Sequence, residues 1–212
     1  MSEPTKSDDD IISEYISSHQ RRRLHLGAGR MYMKGWLNTD LSGNGLNFAT
    51  IDVTKPFPLP DSCIDFIYTE HMVEHLEYKF FVHMLSECRR VMRTEGVIRI
   101  VTPSLLFLIS LMQEPSIPIN RRYIDWAIEK FSAFAPTNFP GFVLNNFVRA
   151  WSHKFIYDPD TLSTTLRIAG FRDLVECKLG ESEHPDLTGL EKVHRLPEGF
   201  LELESMIIEA CK

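Results

Sequence analysis

The apolar positions in the first hundred residues fall into short runs that stop abruptly at glycine, proline or acidic residues. Residues 24–26 end at Gly27-Ala28-Gly29. Residues 36–41 (WLNTDL) follow, then 48–53 (FATIDV), which end at Thr54-Lys55-Pro56. Residues 64–69 (IDFIYT) are apolar enough to be covered on both faces, the pattern of a strand in a parallel sheet. Residues 77–93 carry the helical period, with Phe80, Phe81, Met84, Leu85, Cys88, Val91 and Met92 inward. Thr94-Glu95-Gly96 reads as the end of that helix, with Gly96 as a left-handed cap, and 97–101 as a fifth strand.

The rhythm changes after Pro103. Residues 104–152 show helical patches and many aromatics but no strand alternation. Residues 158–169 predict a helix, with Pro159 just inside its start and Gly170 just past its end. Residues 171–178 and 201–211 predict two last strands, with no helix between them. Upstream, residues 10–19 put Ile11, Ile12, Tyr15 and Ile16 on one helical face, and residues 1–9 read as disordered.

Strands alternating with helices imply βαβ crossovers. The fold class expected is α/β: a Rossmann-like, mostly parallel seven-stranded sheet with an antiparallel C-terminal edge hairpin and a helical lid insertion. The organisation expected is a tail and leading helix over 1–23, then one domain over 24–212, with the lid at 104–152.

Composition narrows the function classes. The formal net charge of −6 over 212 residues argues against nucleic acid as a partner, since phosphate binding needs a basic face. The longest apolar stretch, residues 100–112, contains Pro103 and falls short of the roughly 20 residues that span a bilayer. No signal peptide is expected, and the four cysteines show no metal or disulfide spacing. They read as reduced thiols of a cytoplasmic protein.

Ligands of open α/β sheets bind beyond the carboxyl ends of the strands. Gly27-Ala28-Gly29 at the first end allows close backbone approach. Met31 and Tyr32 stand where the third glycine of a dinucleotide fingerprint belongs, which counts against NAD or FAD. Asp40, at the second end, offers acceptors for ribose hydroxyls, and the short spacing from Gly27 demands an abbreviated first crossover. Asp52, at the third, offers an acceptor for an exocyclic amine. Glu70 and His71 stand at the fourth.

Segments 24–30 (LHLGAGR), 36–41, 51–76 (IDVTKPFPLPDSCIDFIYTEHMVEHL), 88–103 (CRRVMRTEGVIRIVTP) and 153–171 together resemble the class I methyltransferases. Within them the chain is similar to the type 11 group, near methyltransferases associated with polysaccharide or glycolipid synthesis. The resemblance implies S-adenosylmethionine as cofactor and a small-molecule acceptor. It implies that Gly27, Ala28 and Gly29 face the methionine part, that Asp40 with Leu41 holds the ribose, and that Asp52 with Val53 borders the adenine. Glu70 and His71 would line the cofactor edge nearest the acceptor. His71, His75 and His153 are the candidate bases for a hydroxyl acceptor, with His75 one helical turn after His71 on the same face. Arg121, Arg122, Arg149 and Lys154 are the basic candidates for an anionic acceptor.

Two other readings compete. His71-x-x-Glu74-His75 matches a metalloprotease pattern in which two histidines bind zinc and the glutamate acts as base. In the other, the fold binds the cofactor, or nothing, without turnover. The methyltransferase reading names no metal ligands, and the sequence leaves the oligomeric state open.

Overall fold

The computed structural model describes residues 6–42 and 48–212. Seven strands form one sheet: β1 (Arg23–Leu26), β2 (Leu37–Asp40), β3 (Phe48–Thr50), β4 (Ile64–Glu70), β5 (Met92–Pro103), β6 (Arg172–Glu176) and β7 (Ser205–Cys211). Their order is β3-β2-β1-β4-β5-β7-β6. The first five pair in parallel, and β7 runs antiparallel to both β5 and β6. This is the expected Rossmann-like sheet. Of its antiparallel pair, β6 takes the edge and β7 lies inside.

The parallel strands earn their place by burial. In β4 every residue except Asp65 is buried, and Leu24 and Leu26 of β1 are fully covered. The connection from β1 to β2 contains no helix. Asn38 stiffens it instead: Oδ1 accepts from Met33 N at 2.8 Å, and Nδ2 donates to Met33 O and Trp36 O at 2.9 and 3.0 Å. A pyrophosphate needs a helix N-terminus at this turn. The turn here opens none, in line with the missing third glycine.

Helix α1 (Asp8–Ser18) starts earlier than the sequence suggests, because Ser7 and Asp10 form a capping box. Of the stretch expected to be disordered, residues 1–5 lie outside the described residues and Asp8 and Asp9 are helical. Tyr15 is buried against the main core and donates its hydroxyl to Arg23 O at 2.9 Å, fastening α1 to the start of β1.

Helix α2 (Tyr78–Val91) passes directly into β5 at Met92, which pairs with Ile64. The expected glycine cap is therefore wrong. Glu95, not Gly96, holds the left-handed backbone, at φ 63°. Gly96 is required for proximity: a Cβ there would lie 2.9 Å from Arg93 O.

Three helices follow β5: α3 (Leu105–Gln113), α4 (Pro118–Phe131) and α5 (Pro140–Arg149). They share their own apolar cluster, built on Phe107, Leu111, Tyr123, Ile124, Ile128, Val143 and Phe147. Helix α6 (Pro159–Ile168) is capped by the Asp158 side chain on Thr161 N. The expected strand over 201–211 is corrected. Its first part is helix α7 (Phe200–Glu204), and the strand begins at Ser205. Phe200 joins the α3–α5 cluster, and Ser104 N bonds Glu204 O at 2.8 Å, so tertiary packing overrides the local alternation. No helix among the described residues is long and apolar enough to cross a membrane.

Candidate functional site

Two cavities open beyond the carboxyl ends of the parallel strands, and both are lined by His71 and His75.

The first, of about 420 Å³, gathers most of the cofactor residues expected from the sequence: Gly27, Gly29, Asp40, Leu41, Asp52, Val53 and His71. The turn after β1 shapes one wall. Gly27 and Gly29 hold φ of +67° and +57°, and a Cβ on Gly29 would meet nothing within 4 Å among the described residues. Gly29 N donates to Asp40 Oδ2 at 2.8 Å, while Ser42 N and Oγ donate to Oδ1 at 3.1 and 2.9 Å. Burial works against the charge of Asp40, but the amides of Gly29 and Ser42 outweigh it and hold the carboxyl below its ordinary value. Asp52 is kept low by Thr54, which donates its hydroxyl at 2.6 Å and its amide at 3.0 Å. Leu41, an apolar side chain, is 69% exposed at the mouth.

Two expected residues stand apart. Ala28 is fully buried and its amide is used by Thr39 O at 2.9 Å, so only the flanking glycines reach the cavity. Glu70 follows Tyr68 by two residues and so shares its face of the sheet. Its Oε1 accepts from Lys192 N at 3.3 Å and it does not line the cavity.

The second cavity, of about 320 Å³, lies between the ends of β4 and β5 and the helices α4, α5 and α7. Tyr123, Trp126, Phe131, Phe147 and Trp151 form an aromatic wall, and Lys130 and Arg195 are the lining cations. Arg121, Arg122, Arg149 and Lys154 do not line it. Arg121 instead pairs with Asp125, and Arg122 lies over the Phe200 ring.

The histidines do not share a helical face. Val73–His75 is a single 3-10 turn, α2 starts only at Tyr78, and His71 precedes both with φ 49°. The chain must turn sharply off β4, and that turn aims the His71 ring toward α7. Its Nδ1 lies 3.3 Å from Glu74 Oε1, and its Nε2 lies 3.2 Å from Ser205 Oγ and 3.7 Å from Glu204 Oε1. The His75 ring instead meets His153, edge to face, at 4.9 Å between centroids. His153 Nδ1 donates to Phe147 O at 2.7 Å. Burial pushes His153 below its ordinary value.

Two buried carboxylates complete the floor. Glu74 is fully buried and accepts from Thr102 Oγ1 at 3.2 Å. Burial raises Glu204 above the ordinary carboxylate range, although Tyr123 donates its hydroxyl to it and Arg195 Nη2 stands at 3.3 Å. Sequence reading weighed Glu74 only as a zinc-site base, and it missed Glu204, Arg195 and Lys130. Glu204 hides in the LELE alternation of residues 201–204, which reads as a strand face.

The strand order and the first cavity agree with what comparisons find. The family model described as "Methyltransferase domain" matches residues 29–100. No curated protein matches the chain. Among solved structures, an S-adenosylmethionine-dependent methyltransferase from Mesorhizobium loti aligns at 14% identity over 90% of each chain, with a TM-score of 0.52. A chain of the Haloferax volcanii Trm112 methyltransferase activator–methyltransferase complex aligns at 12% identity over 94% of this chain and 87% of that one, with a TM-score of 0.51. At such identities these two speak for the fold alone. Fold, cavity and domain match define an S-adenosylmethionine-dependent methyltransferase of class I. S-adenosylmethionine is its cofactor.

Proposed function

We propose that this enzyme methylates a hydroxyl oxygen of a small molecule bound in the second cavity, with a sugar or glycolipid precursor as the acceptor class. The observation that carries the reading is that the two cavities meet at His71 and His75. A methyl group delivered from the first is presented to the second without crossing bulk water.

The first cavity suits S-adenosylmethionine. The glycine turn accommodates the methionine part, Asp40 and Leu41 take the ribose, and Asp52 and Val53 border the adenine. When bound, S-adenosylmethionine would supply an electrophilic methyl group with a neutral thioether as leaving group. What the chain adds is alignment and proton removal. His71 stands at the junction with Glu74 on its Nδ1 side, and takes the hydroxyl proton as the new oxygen–carbon bond forms. The aromatic wall stacks on the acceptor's apolar face, and α3–α5 act as a lid that excludes water. The four cysteines are free thiols and the net charge is −6, which supports a cytoplasmic enzyme acting on small molecules rather than nucleic acid.

The test has two stages. Calorimetric titration of cofactor-free protein with S-adenosylhomocysteine should give micromolar binding, with NAD as the silent control. A panel of sugar, amine and carboxylate acceptors is then screened for S-adenosylhomocysteine release. Turnover on amines alone would overturn the hydroxyl assignment, and absent cofactor binding would overturn the whole reading.

A further inference from the structure

We propose that Glu74, His75 and His153 form a binding site for one zinc-type divalent cation in the floor of the acceptor cavity. One ligand atom from each of the three lies within 4.8 Å of the others. Ordinary zinc–nitrogen and zinc–oxygen bonds put tetrahedral ligands roughly 3.4 Å apart, so side-chain rotations of about 1 Å close the site.

Three features beyond proximity favour the cation. The first is a prepared histidine. A carbonyl only accepts, so the 2.7 Å bond from His153 Nδ1 to Phe147 O places the proton on Nδ1 and leaves a lone pair on Nε2. Metal-bound histidines are held in just this way through their second nitrogen. The second is a buried carboxylate oxygen without a hydrogen bond. Glu74 Oε1 is buried and makes no hydrogen bond, because His71 Nδ1 at 3.3 Å is an ion-pair contact outside hydrogen-bond geometry. A buried carboxylate oxygen without a hydrogen bond is costly, and a metal cation is a stronger partner than a histidine at that distance. The third is rigidity across a long sequence gap. The Glu74 carbonyl accepts from Lys154 N at 2.7 Å and from Phe155 N at 3.2 Å, which clamps the His153 segment against the 3-10 turn.

The donor set decides the class of ion. Two imidazoles and one carboxylate suit zinc, cobalt or iron, whereas magnesium and calcium prefer oxygen ligands. Three protein ligands leave a position open, and all three residues line the acceptor cavity. The open position would therefore be filled by water or by an acceptor oxygen. That role rests on the methyl-transfer reading, while the binding itself does not. The set also differs from the metalloprotease pattern in the sequence, since His71 turns to Ser205 and Glu204 and His153 replaces it.

Chelator-treated protein is titrated with cobalt(II), followed by visible absorption, and with S-adenosylhomocysteine by calorimetry in parallel. One equivalent of cobalt with the intense bands of low coordination is expected, displaced by zinc. His153→Gln and Glu74→Gln should each weaken cobalt at least tenfold, while His71→Asn keeps it. His153→Gln should leave S-adenosylhomocysteine affinity unchanged, which also shows that the variant is folded. Cobalt binding that is absent, or unaffected in His153→Gln, would overturn the metal site even if the cofactor binds. Cobalt binding without cofactor binding would leave the metal site standing and remove the methyl-transfer reading.

Discussion

Gly29 donates its amide to Asp40 Oδ2 at 2.8 Å, joining the turn after β1 to the last residue of β2. The bond does two things at once. It fixes the glycine turn, and it keeps Asp40 ionised with acceptor capacity facing the first cavity. Hydrogen bonds to charged groups contribute about 1.5–3 kcal/mol, so Asp40→Ala should weaken S-adenosylhomocysteine by about tenfold to a hundredfold in calorimetry. Asp40→Asn should recover part of the loss, because the amide oxygen can still accept from Gly29.

The two glycines of that turn should respond differently to alanine. A Cβ on Gly27 would fall 2.3 Å from Met72 Cγ, whereas on Gly29 it meets none of the described residues. Both hold left-handed φ, which costs an L-residue about 1–2 kcal/mol. Gly29→Ala should show that penalty alone in denaturant titration. Gly27→Ala should lose more stability and displace Met72 into the cavity, with loss of cofactor affinity. Equal effects from the two substitutions would contradict the clash.

Arg99 spans the sheet between two acids. It is fully buried, pairs in register with Glu209, and bonds Glu191 Oε1 at 2.6 Å and Glu209 Oε1 at 2.5 Å. Removing it strands two buried carboxylates, so Arg99→Met should cost about 3–5 kcal/mol in urea unfolding. Changing Glu191 and Glu209 to Gln in the same chain should restore much of that loss.

Acid stability should be governed in part by His25. Burial drives it down to about 4, although Asn38 hydrogen-bonds it at 3.3 Å. In the unfolded chain a histidine titrates near 6.5. Between those values the unfolded state holds a proton that the folded state lacks, so acidification favours unfolding. His25 contributes its full share above about pH 6.5 and loses it as pH falls toward 4, with roughly 3 kcal/mol at stake. His25→Gln should flatten the melting temperature against pH over that window, relative to the parent.

The parallel half of the sheet was legible because β1, β2, β4 and the 97–103 part of β5 are largely buried, and their apolar runs stop where the backbone turns. The residues of the first cavity could be grouped for the same reason: they sit at strand ends that could be counted off. What was not legible depends on contacts across long stretches of chain. The glycine cap after α2 failed because Gly96 is needed for its closeness to Arg93 O, which periodicity does not reveal. Residues 201–204 read as strand because nothing local shows that Phe200 belongs to a cluster with Phe107 and Tyr123. His153 could be suspected singly. Its approach to Glu74 depends on two backbone bonds bridging some eighty residues, for which the sequence carries no sign.

Phe200 and Glu204 bear on how this enzyme could be redesigned. Tyr123 of α4 is sealed from below by both, through ring packing with Phe200 and a hydroxyl bond to Glu204. The acceptor-facing module is thus discontinuous in sequence, with one part at 104–152 and another at 196–204. A chimera that transplants only the first part leaves its aromatic core open on one side. Moving both segments together is the graft that keeps the pocket sealed while exchanging its choice of acceptor.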